Sequence, residues 1–188
     1  MSNETWWFIS RATGIVATVL AVAALVLGFF FSSRNMGGRR RPAWWLDLHN
    51  WLGGMTLVFT VLHIAASYID KNSGIGLLQV LVPNTGTDAP WPITWGVIAT
   101  YLFAITVFTS WPRKRLRPRL WRIVHLTSVM AVALAGLHAF QAGTDATTAA
   151  FEAGLAVTAG LAVYALSVRV LALVASRNAG RAERRPTT

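Results

Sequence analysis

The chain has 188 residues, of which 54% are hydrophobic and only 13% charged, and its mean hydropathy is +0.49. A soluble domain has about 25% charged residues, so this composition predicts an integral membrane protein. The sequence contains no cysteine, which excludes disulfides, thiolate metal sites, iron–sulfur clusters and covalently attached haem. Its 17 Lys and Arg against 7 Asp and Glu give a net charge of +10, a balance that in a soluble protein indicates nucleic-acid binding.

Five apolar runs are long enough to cross a bilayer as helices, which takes about 18 or more apolar residues. They cover residues 14–31, 48–68, 93–111, 123–140 and 155–175. The sequence therefore predicts an all-α bundle of five transmembrane helices in a multi-pass protein of the cell membrane. We expect a single transmembrane domain over residues 1–176 and a basic cytoplasmic tail over residues 177–188. The chain after Ser176 is expected to be frayed.

The basic residues predict the orientation of the bundle. Most of them lie in the segments 34–41, 113–122 and 177–185, which follow the first, third and fifth apolar runs. Since cytoplasmic loops carry an excess of Lys and Arg, we expect the N-terminus outside and the C-terminus in the cytoplasm. The positive charge is thus explained by the orientation of the protein in the lipid bilayer. Nucleic acid is not an expected partner.

All four histidines lie in two of the five runs: His49 and His63 in the second, His125 and His138 in the fourth. Because one run returns the chain between them, these two helices are expected to be parallel. At about 1.5 Å rise per residue, the steps of 14 and 13 residues separate the histidines by about 21 Å and about 19.5 Å. The matching steps predict two facing pairs, an inner one of His49 with His125 and an outer one of His63 with His138.

The two histidines of one helix must lie on the same helix face if both point straight at the neighbouring helix, and the spacing meets this condition less well. At about 100° per residue, His63 lies about 40° away from the direction of His49, but His138 lies about 140° away from the direction of His125. Two explanations are open: the fourth run tightens locally, or its histidines reach their sites from different sides of the helix.

A pair of facing imidazoles in each leaflet suits haem better than zinc. Zinc takes three or four protein ligands, and no Cys, Asp or Glu lies at the depth of either pair. Haem iron takes two axial ligands, and a bis-imidazole haem suits electron transfer because it leaves no open position on the iron. The pattern predicts two b-type haems. Buried histidines that hydrogen-bond between helices, or that relay protons, are the alternatives.

Three segments resemble a known family: RATGIVATVLAVAALVLG (11–28), LHNWLGGMTLVFTVLHIAASY (48–68) and RPRLWRIVHLTSVMAVALAGLHAF (117–140). Together with their H-x13-H and H-x12-H spacings, they resemble the ferric reductase-like transmembrane domain. That family includes the haem cores of ferric reductases and NADPH oxidases and the haem subunit of the periplasmic methionine sulfoxide reductase system. The resemblance implies an inner haem b on His49 and His125, an outer haem b on His63 and His138, and outward electron flow.

Three arginines are candidates to bind haem propionates. Arg122, three residues before His125, is the first candidate for the inner haem, and Arg119 is the second. Both also belong to the basic cluster that sets the orientation, which is an equally good explanation of their presence. Arg11, a basic residue at the outer rim that breaks the inside-positive pattern, is the candidate for the outer haem. Arg169, within the fifth run, is expected to snorkel to the membrane surface, with an inner propionate contact as the alternative.

Small and hydroxyl side chains near the histidines are candidates for supporting roles. Gly53, Gly54 and Gly136 are expected to let a porphyrin approach the helices, although small residues also serve ordinary helix packing. Thr60 and Ser67 lie one turn on either side of His63. Either could accept the N–H of its second ring nitrogen, or bond its own helix backbone instead.

Two further features bear on the partners. Asp47 is the acid nearest the inner end of a histidine helix. It is a candidate proton acceptor if a quinol reduces the inner haem. A simpler explanation is that an acid at a helix N-terminus interacts favourably with the helix dipole. The outer loop 69–92 is long, and its apolar stretch 74–82 is expected to cover the outer haem or to lie passively on the membrane surface.

We therefore predict a membrane electron-transfer subunit. It would move electrons from a cytoplasmic or quinol donor to an extracytoplasmic acceptor. Because nothing in the chain resembles a flavin or nicotinamide domain, we expect separate redox partner proteins on one or both sides. The main alternative is a self-sufficient reductase of ferric chelates or oxygen at the outer haem. The second alternative is a proton-coupled transporter whose histidines bind no haem.

Overall fold

The computed structural model describes residues 2–32, 43–85, 91–110, 117–143 and 145–182. These residues form helices joined by turns, and no strand occurs among them. Six α-helices and one 3-10 turn follow one another along the chain. They are α1 (Asn3–Ser32), α2 (Ala43–Ile69), the 3-10 turn (Lys71–Ser73), α3 (Leu77–Leu81), α4 (Trp91–Ser110), α5 (Pro118–Ala142) and α6 (Ala149–Ala182).

Five of these helices are long and apolar enough to span a membrane: α1, α2, α4, α5 and α6. Each contains one of the five apolar runs, apart from Trp111 at the end of the third run, which lies outside the described residues. The predicted all-α bundle of five transmembrane helices is confirmed, and the chain is a multi-pass membrane protein. The orientation of its termini stays a prediction, because most of the basic segments 34–41 and 113–122 lies outside the described residues.

The last helix is longer than the sequence pattern indicates. We expected fraying after Ser176, but α6 continues to Ala182. The intervening Arg and Ala residues are good helix formers, so the helix persists after the apolar run has ended. Residues 183–188 of the expected tail lie outside the described part of the chain.

The helices pack as two close pairs, α1 with α2 and α4 with α5, and α6 lies against α1. A small buried cluster joins the two pairs at mid-depth, where Ala21 of α1 meets Ala99 and Phe103 of α4 and Ala131 of α5. Alanine at three of these four positions lets the helix backbones approach closely. By contrast, α2 and α5, which carry the four histidines, are not packed directly against each other.

A hydrogen bond fixes α6 on α1 at the end of the bundle. Arg169 Nη1 donates to the backbone oxygen of Ser32 at a distance of 2.6 Å. Ser32 is the last residue of α1, so the guanidinium satisfies a carbonyl at the negative end of that helix. The structure thus places Arg169 against a helix terminus, where the sequence analysis expected simple snorkelling.

The loop after α2 is anchored at both of its ends. Asp70 is buried, and its carboxylate accepts a hydrogen bond from the backbone N–H of Asn72. At the other end, the hydroxyl of Tyr101 in α4 donates to the backbone oxygen of Leu81 at 2.5 Å, and the hydroxyl of Thr94 accepts from the backbone N–H of Asn84 at 2.8 Å. The loop therefore follows α4, and its role as a cover over the outer histidines stays a prediction.

Candidate functional site

The structure brings the four histidines together as two pairs. The ring centroids of His49 and His125 are 5.9 Å apart, and their planes meet at 61°. Those of His63 and His138 are 6.1 Å apart, with planes at 73°. Both pairs bridge the gap between α2 and α5. Ala131 of the mid-depth cluster lies between His125 and His138 in the sequence of α5.

The rotation mismatch on the second histidine helix is also resolved. Helix α5 is an uninterrupted α-helix from Pro118 to Ala142, with no 3-10 or π segment. Local tightening is therefore not the explanation. The remaining explanation is that His125 and His138 reach their partners from different sides of the helix.

Three of the four imidazoles donate their Nδ1–H to a backbone carbonyl of a neighbouring helix. His49 donates to Ala24 at 2.9 Å, His63 to Ser10 at 2.7 Å, and His138 to Pro92 at 2.7 Å. A carbonyl oxygen only accepts hydrogen bonds, so these contacts place the proton on Nδ1. The lone pair on Nε2 is then available for a metal ion.

Each of these carbonyls lies four residues before a glycine of the same helix. A helical side chain covers the turn that precedes it, so a glycine at this spacing leaves the carbonyl accessible to an incoming ring. A β-carbon at these glycines would lie 2.9 to 3.1 Å from the nearest histidine ring atom, which is closer than ordinary packing allows. The carbonyl and glycine pairs are Ser10 with Gly14, Ala24 with Gly28, and Pro92 with Gly96.

Of the two alternatives for Thr60 and Ser67, neither hydroxyl bonds the imidazole of His63. Thr60 bonds its own helix, since its hydroxyl donates to the carbonyl of Thr56 at 2.8 Å. Ser67 contacts the hydroxyl of Ser10 at 2.6 Å and does not contact the imidazole directly. The carbonyl of Ser10 on α1 is the partner instead, because α1 packs closely on α2 and presents its backbone at the open position beside Gly14.

The fourth imidazole is held differently. Nδ1 of His125 lies 3.2 Å from the hydroxyl oxygen of Ser110, the last residue of α4. The indole of Trp121, one turn earlier on α5, stacks on the His125 ring with centroids 4.8 Å apart and planes at 21°. The Nε1 atom of Trp121 is buried and has no hydrogen-bond partner among the described residues. Neither Ser110 nor Trp121 was predicted from the sequence to contact a histidine.

The structure shows contacts for two of the three arginines predicted to bind propionates. Arg122 is exposed, and its Nε donates to the carbonyl of Pro118 at 3.2 Å. Arg119 is also exposed, near the same end of α5. Arg11 forms an ion pair with Asp145, and its guanidinium lies over the Trp7 ring at 4.2 Å from the centroid. Its charge is therefore already engaged by a carboxylate and an aromatic face.

The spacing of each pair fits two imidazoles bound to opposite sides of one metal ion. With metal–nitrogen bonds of about 2.0 Å and ring centroids about 1.1 Å behind each nitrogen, the centroids would be about 6.2 Å apart. The observed 5.9 and 6.1 Å are close to this value. The described residues contain no group of three or more His, Asp or Glu side chains that would hold a metal ion by themselves. Each pair thus offers two ligands, which is the number that haem requires.

There is also open space beside the pairs. A β-carbon at Gly53, Gly54 or Gly136 would meet no atom of the described residues within 4 Å outside its own stretch of helix. These positions on the surfaces of α2 and α5 are therefore open to a flat macrocycle. The residues present therefore fit a haem at each pair.

A comparison with protein-family models gives one match, the ferric reductase like transmembrane component, over residues 13–136. The chain belongs to this family. The match covers about two thirds of the chain and includes His49, His63 and His125. It ends at Gly136, two residues before His138, and the structure supplies the position of this fourth histidine opposite His63. A search of curated proteins gives no significant match.

Proposed function

We propose that this protein is a di-haem cytochrome b that transfers electrons across the membrane. One observation carries the proposal: two histidine pairs on α2 and α5 have centroid spacings of 5.9 and 6.1 Å. In three of the four rings Nδ1 is committed to a carbonyl and Nε2 is left free as a ligand. Membership of the ferric reductase-like family supports the same assignment.

In this proposal His49 and His125 hold one haem, and His63 and His138 hold the other. A bound haem would supply a one-electron couple between ferric and ferrous iron, and its two imidazole ligands would leave no position on the iron for a substrate. The carbonyls of Ala24, Ser10 and Pro92 fix the tautomer and orientation of their imidazoles and increase their strength as ligands. Each electron leaves a donor, which is oxidised, and reaches an acceptor, which is reduced; a quinol donor would also release its two protons as it loses two electrons.

The hydrogen bonds favour this function over a proton relay. A relay histidine takes up a proton at one ring nitrogen and releases one from the other, so both nitrogens need partners that exchange protons. At His49, His63 and His138, Nδ1 instead faces a backbone carbonyl, which cannot pass a proton on. These three rings are arranged to be held in one tautomer, as metal ligands are.

Propionates of a bound haem would need positive charges near them. We propose Arg122, with Arg119 as a second contact, for the haem at His49 and His125, since both are exposed on the first turns of α5. The ion pair with Asp145 makes Arg11 a weaker candidate for the other haem.

By the positive-inside rule, His49 and His125 lie towards the cytoplasm, so electrons would enter there from a cytoplasmic partner or a quinol. They would leave at His63 and His138 to an extracytoplasmic acceptor on a separate partner protein. The family description favours ferric iron as the alternative acceptor, reduced directly by this chain.

An absorption spectrum of the purified protein tests the proposal. We expect sharp b-type bands that intensify on reduction, whereas a proton-coupled transporter without haem would give none. Reoxidation of the reduced protein separates the two haem functions. Rapid reoxidation by ferric chelate or oxygen alone favours the self-sufficient reductase, and slow reoxidation favours a subunit that needs a partner protein.

A further inference from the structure

Three histidine rings share one type of contact, and the fourth does not. The rings of His49, His63 and His138 each lie against a glycine and donate to the carbonyl four residues before it. His125 has instead the hydroxyl of Ser110 at 3.2 Å. Nδ1 of His63 also lies 3.4 Å from the Ser10 hydroxyl, but it has the Ser10 carbonyl at 2.7 Å. His125 is therefore the ring with a side-chain hydroxyl in place of the carbonyl, and a single substitution can remove that partner without moving the backbone.

The direction of the hydrogen bond between Ser110 and His125 follows from the other contact of the serine. The Ser110 hydroxyl also lies 2.7 Å from the backbone oxygen of Thr106, one turn earlier on α4. A carbonyl oxygen only accepts, and a hydroxyl has a single hydrogen to donate. Because that hydrogen goes to Thr106, Ser110 must accept the Nδ1–H of His125. This leaves Nε2 of His125 with a free lone pair, as in the other three rings.

This bond is longer than those to the carbonyls, which measure 2.7 to 2.9 Å. An acceptor at Nδ1 makes an imidazole a stronger electron donor to a metal ion, and stronger donation stabilises ferric over ferrous iron. The hydroxyl of Ser110 thus acts on the haem only through His125, whose ring face is covered by Trp121.

We propose that Ser110 is a positioning residue of the haem at His49 and His125, and that its hydroxyl lowers the reduction potential of this haem selectively. The proposal rests on the proposed function, since it requires a haem at this pair. It assigns to Ser110 the role that backbone carbonyls have at the other three histidines.

The test compares Ser110→Ala with Ser110→Thr in the purified full chain by optical redox titration. In Ser110→Ala we expect the ratio of ferrous to ferric haem at a fixed solution potential to rise roughly threefold for one of the two haems, a shift of about 28 mV at 59 mV per tenfold. Ser110→Thr keeps the hydroxyl and should keep both wild-type potentials. The shift should persist when Ser110→Ala is combined with His63→Ala, which leaves the haem at His49 and His125.

Thr109→Val is the matched control. Thr109 is the neighbouring residue on α4. Its hydroxyl bonds the carbonyl of Ile105 at 2.6 Å and lies 3.3 Å from the carbonyl of Thr106, so it contacts the same helix backbone as Ser110 but has no hydrogen bond to a histidine among the described residues. Its removal should leave both potentials unchanged. An equal shift in Thr109→Val and Ser110→Ala would overturn the proposal, because a general change at the end of α4 would then explain both.

The remaining outcomes also decide the question. If the wild-type protein binds two haems but Ser110→Ala leaves both potentials unchanged, or shifts both equally, the role of Ser110 is refuted and the di-haem function stands. Ser110→Ala could instead lose the haem at His49 and His125. In that case, a Ser110→Thr protein that keeps this haem at its wild-type potential supports the role of the hydroxyl. A Ser110→Thr protein that loses this haem, or binds it with a shifted potential, refutes that role. A wild-type protein without haem refutes the proposed function itself.

Discussion

The glycines beside the histidine rings allow a sharp test of the site. In Gly14→Ala the added β-carbon would lie 2.9 Å from Nδ1 of His63, and in Gly96→Ala it would lie 2.9 Å from Nδ1 of His138. Non-bonded atoms of this size pack at about 3.5 Å or more, so the ring must move by roughly 0.6 Å. Either substitution should therefore weaken haem binding at the pair of His63 and His138.

The size of this effect follows from two costs. Crowding a packed site costs about 1 to 3 kcal/mol, and weakening the bond of 2.7 Å between His63 and Ser10 costs about 1 kcal/mol. The haem at this pair should thus be held about 2 to 4 kcal/mol less tightly, or about 30- to 900-fold. Alanine is a better helix former than glycine by about 0.5 to 1 kcal/mol, so the helices themselves should remain folded.

Haem retention during purification, followed by the haem spectrum per milligram of protein, measures this effect. Gly14→Ala and Gly96→Ala should each retain about one haem, and Gly28→Ala should lose the haem at His49 and His125 instead. Gly160→Ala on α6 is the control, since a β-carbon there meets no atom within 4 Å. Full haem content in Gly14→Ala and Gly96→Ala would refute the claim that these rings dock on the glycines.

Three further outcomes are expected. His63→Ala or His138→Ala should remove the haem of that pair and leave most of the other, as counted from the spectrum, and loss of neither haem would contradict the ligand assignment. Arg122→Gln removes a positive charge near His125 and should lower the reduction potential of the haem at His49 and His125, as measured by redox titration. If the potential is unchanged, Arg122 serves only to orient the protein, as part of the basic cluster. Arg169→Met removes the charge-assisted bond to the end of α1 and should destabilise the protein by about 1.5 to 3 kcal/mol in thermal unfolding; unchanged unfolding would show that this bond does not hold α6 in place.

Much of the architecture could be predicted from the sequence because membrane helices have strong signals. The five apolar runs fixed the number of spanning helices, and the chain order made the second and fourth runs parallel. Equal steps of about 20 Å along parallel helices then paired His49 with His125 and His63 with His138. This reasoning needed only helix rise and chain direction, and the structure brings those side chains together.

The contacts behind the histidines could not be predicted in the same way, because backbone carbonyls are present at every residue. Which carbonyl is accessible depends on the neighbouring helix and its rotation. One signal was available: Gly14 and Gly28 on α1 are 14 residues apart, as are His49 and His63 on the antiparallel neighbour. Hydroxyl residues near His63 in sequence were a poor guide, because Thr60 bonds its own helix.

The charged residues were the least predictable part of the site. Arg11 stands out in sequence as a basic residue at the outer rim, yet Asp145, from the turn between α5 and α6, reaches it in the folded chain. Such a partner is distant in sequence and has no periodic pattern that would reveal it. The same holds for Arg169 and the carbonyl of Ser32.

The ratio of haem to protein chain tests the central claim most directly. Extracted haem and total iron, measured on the same purified sample, should both give two per chain, with the low-spin spectrum of bis-imidazole ligation. A protein that is correctly folded and stable in the membrane but contains neither haem nor iron would contradict the account.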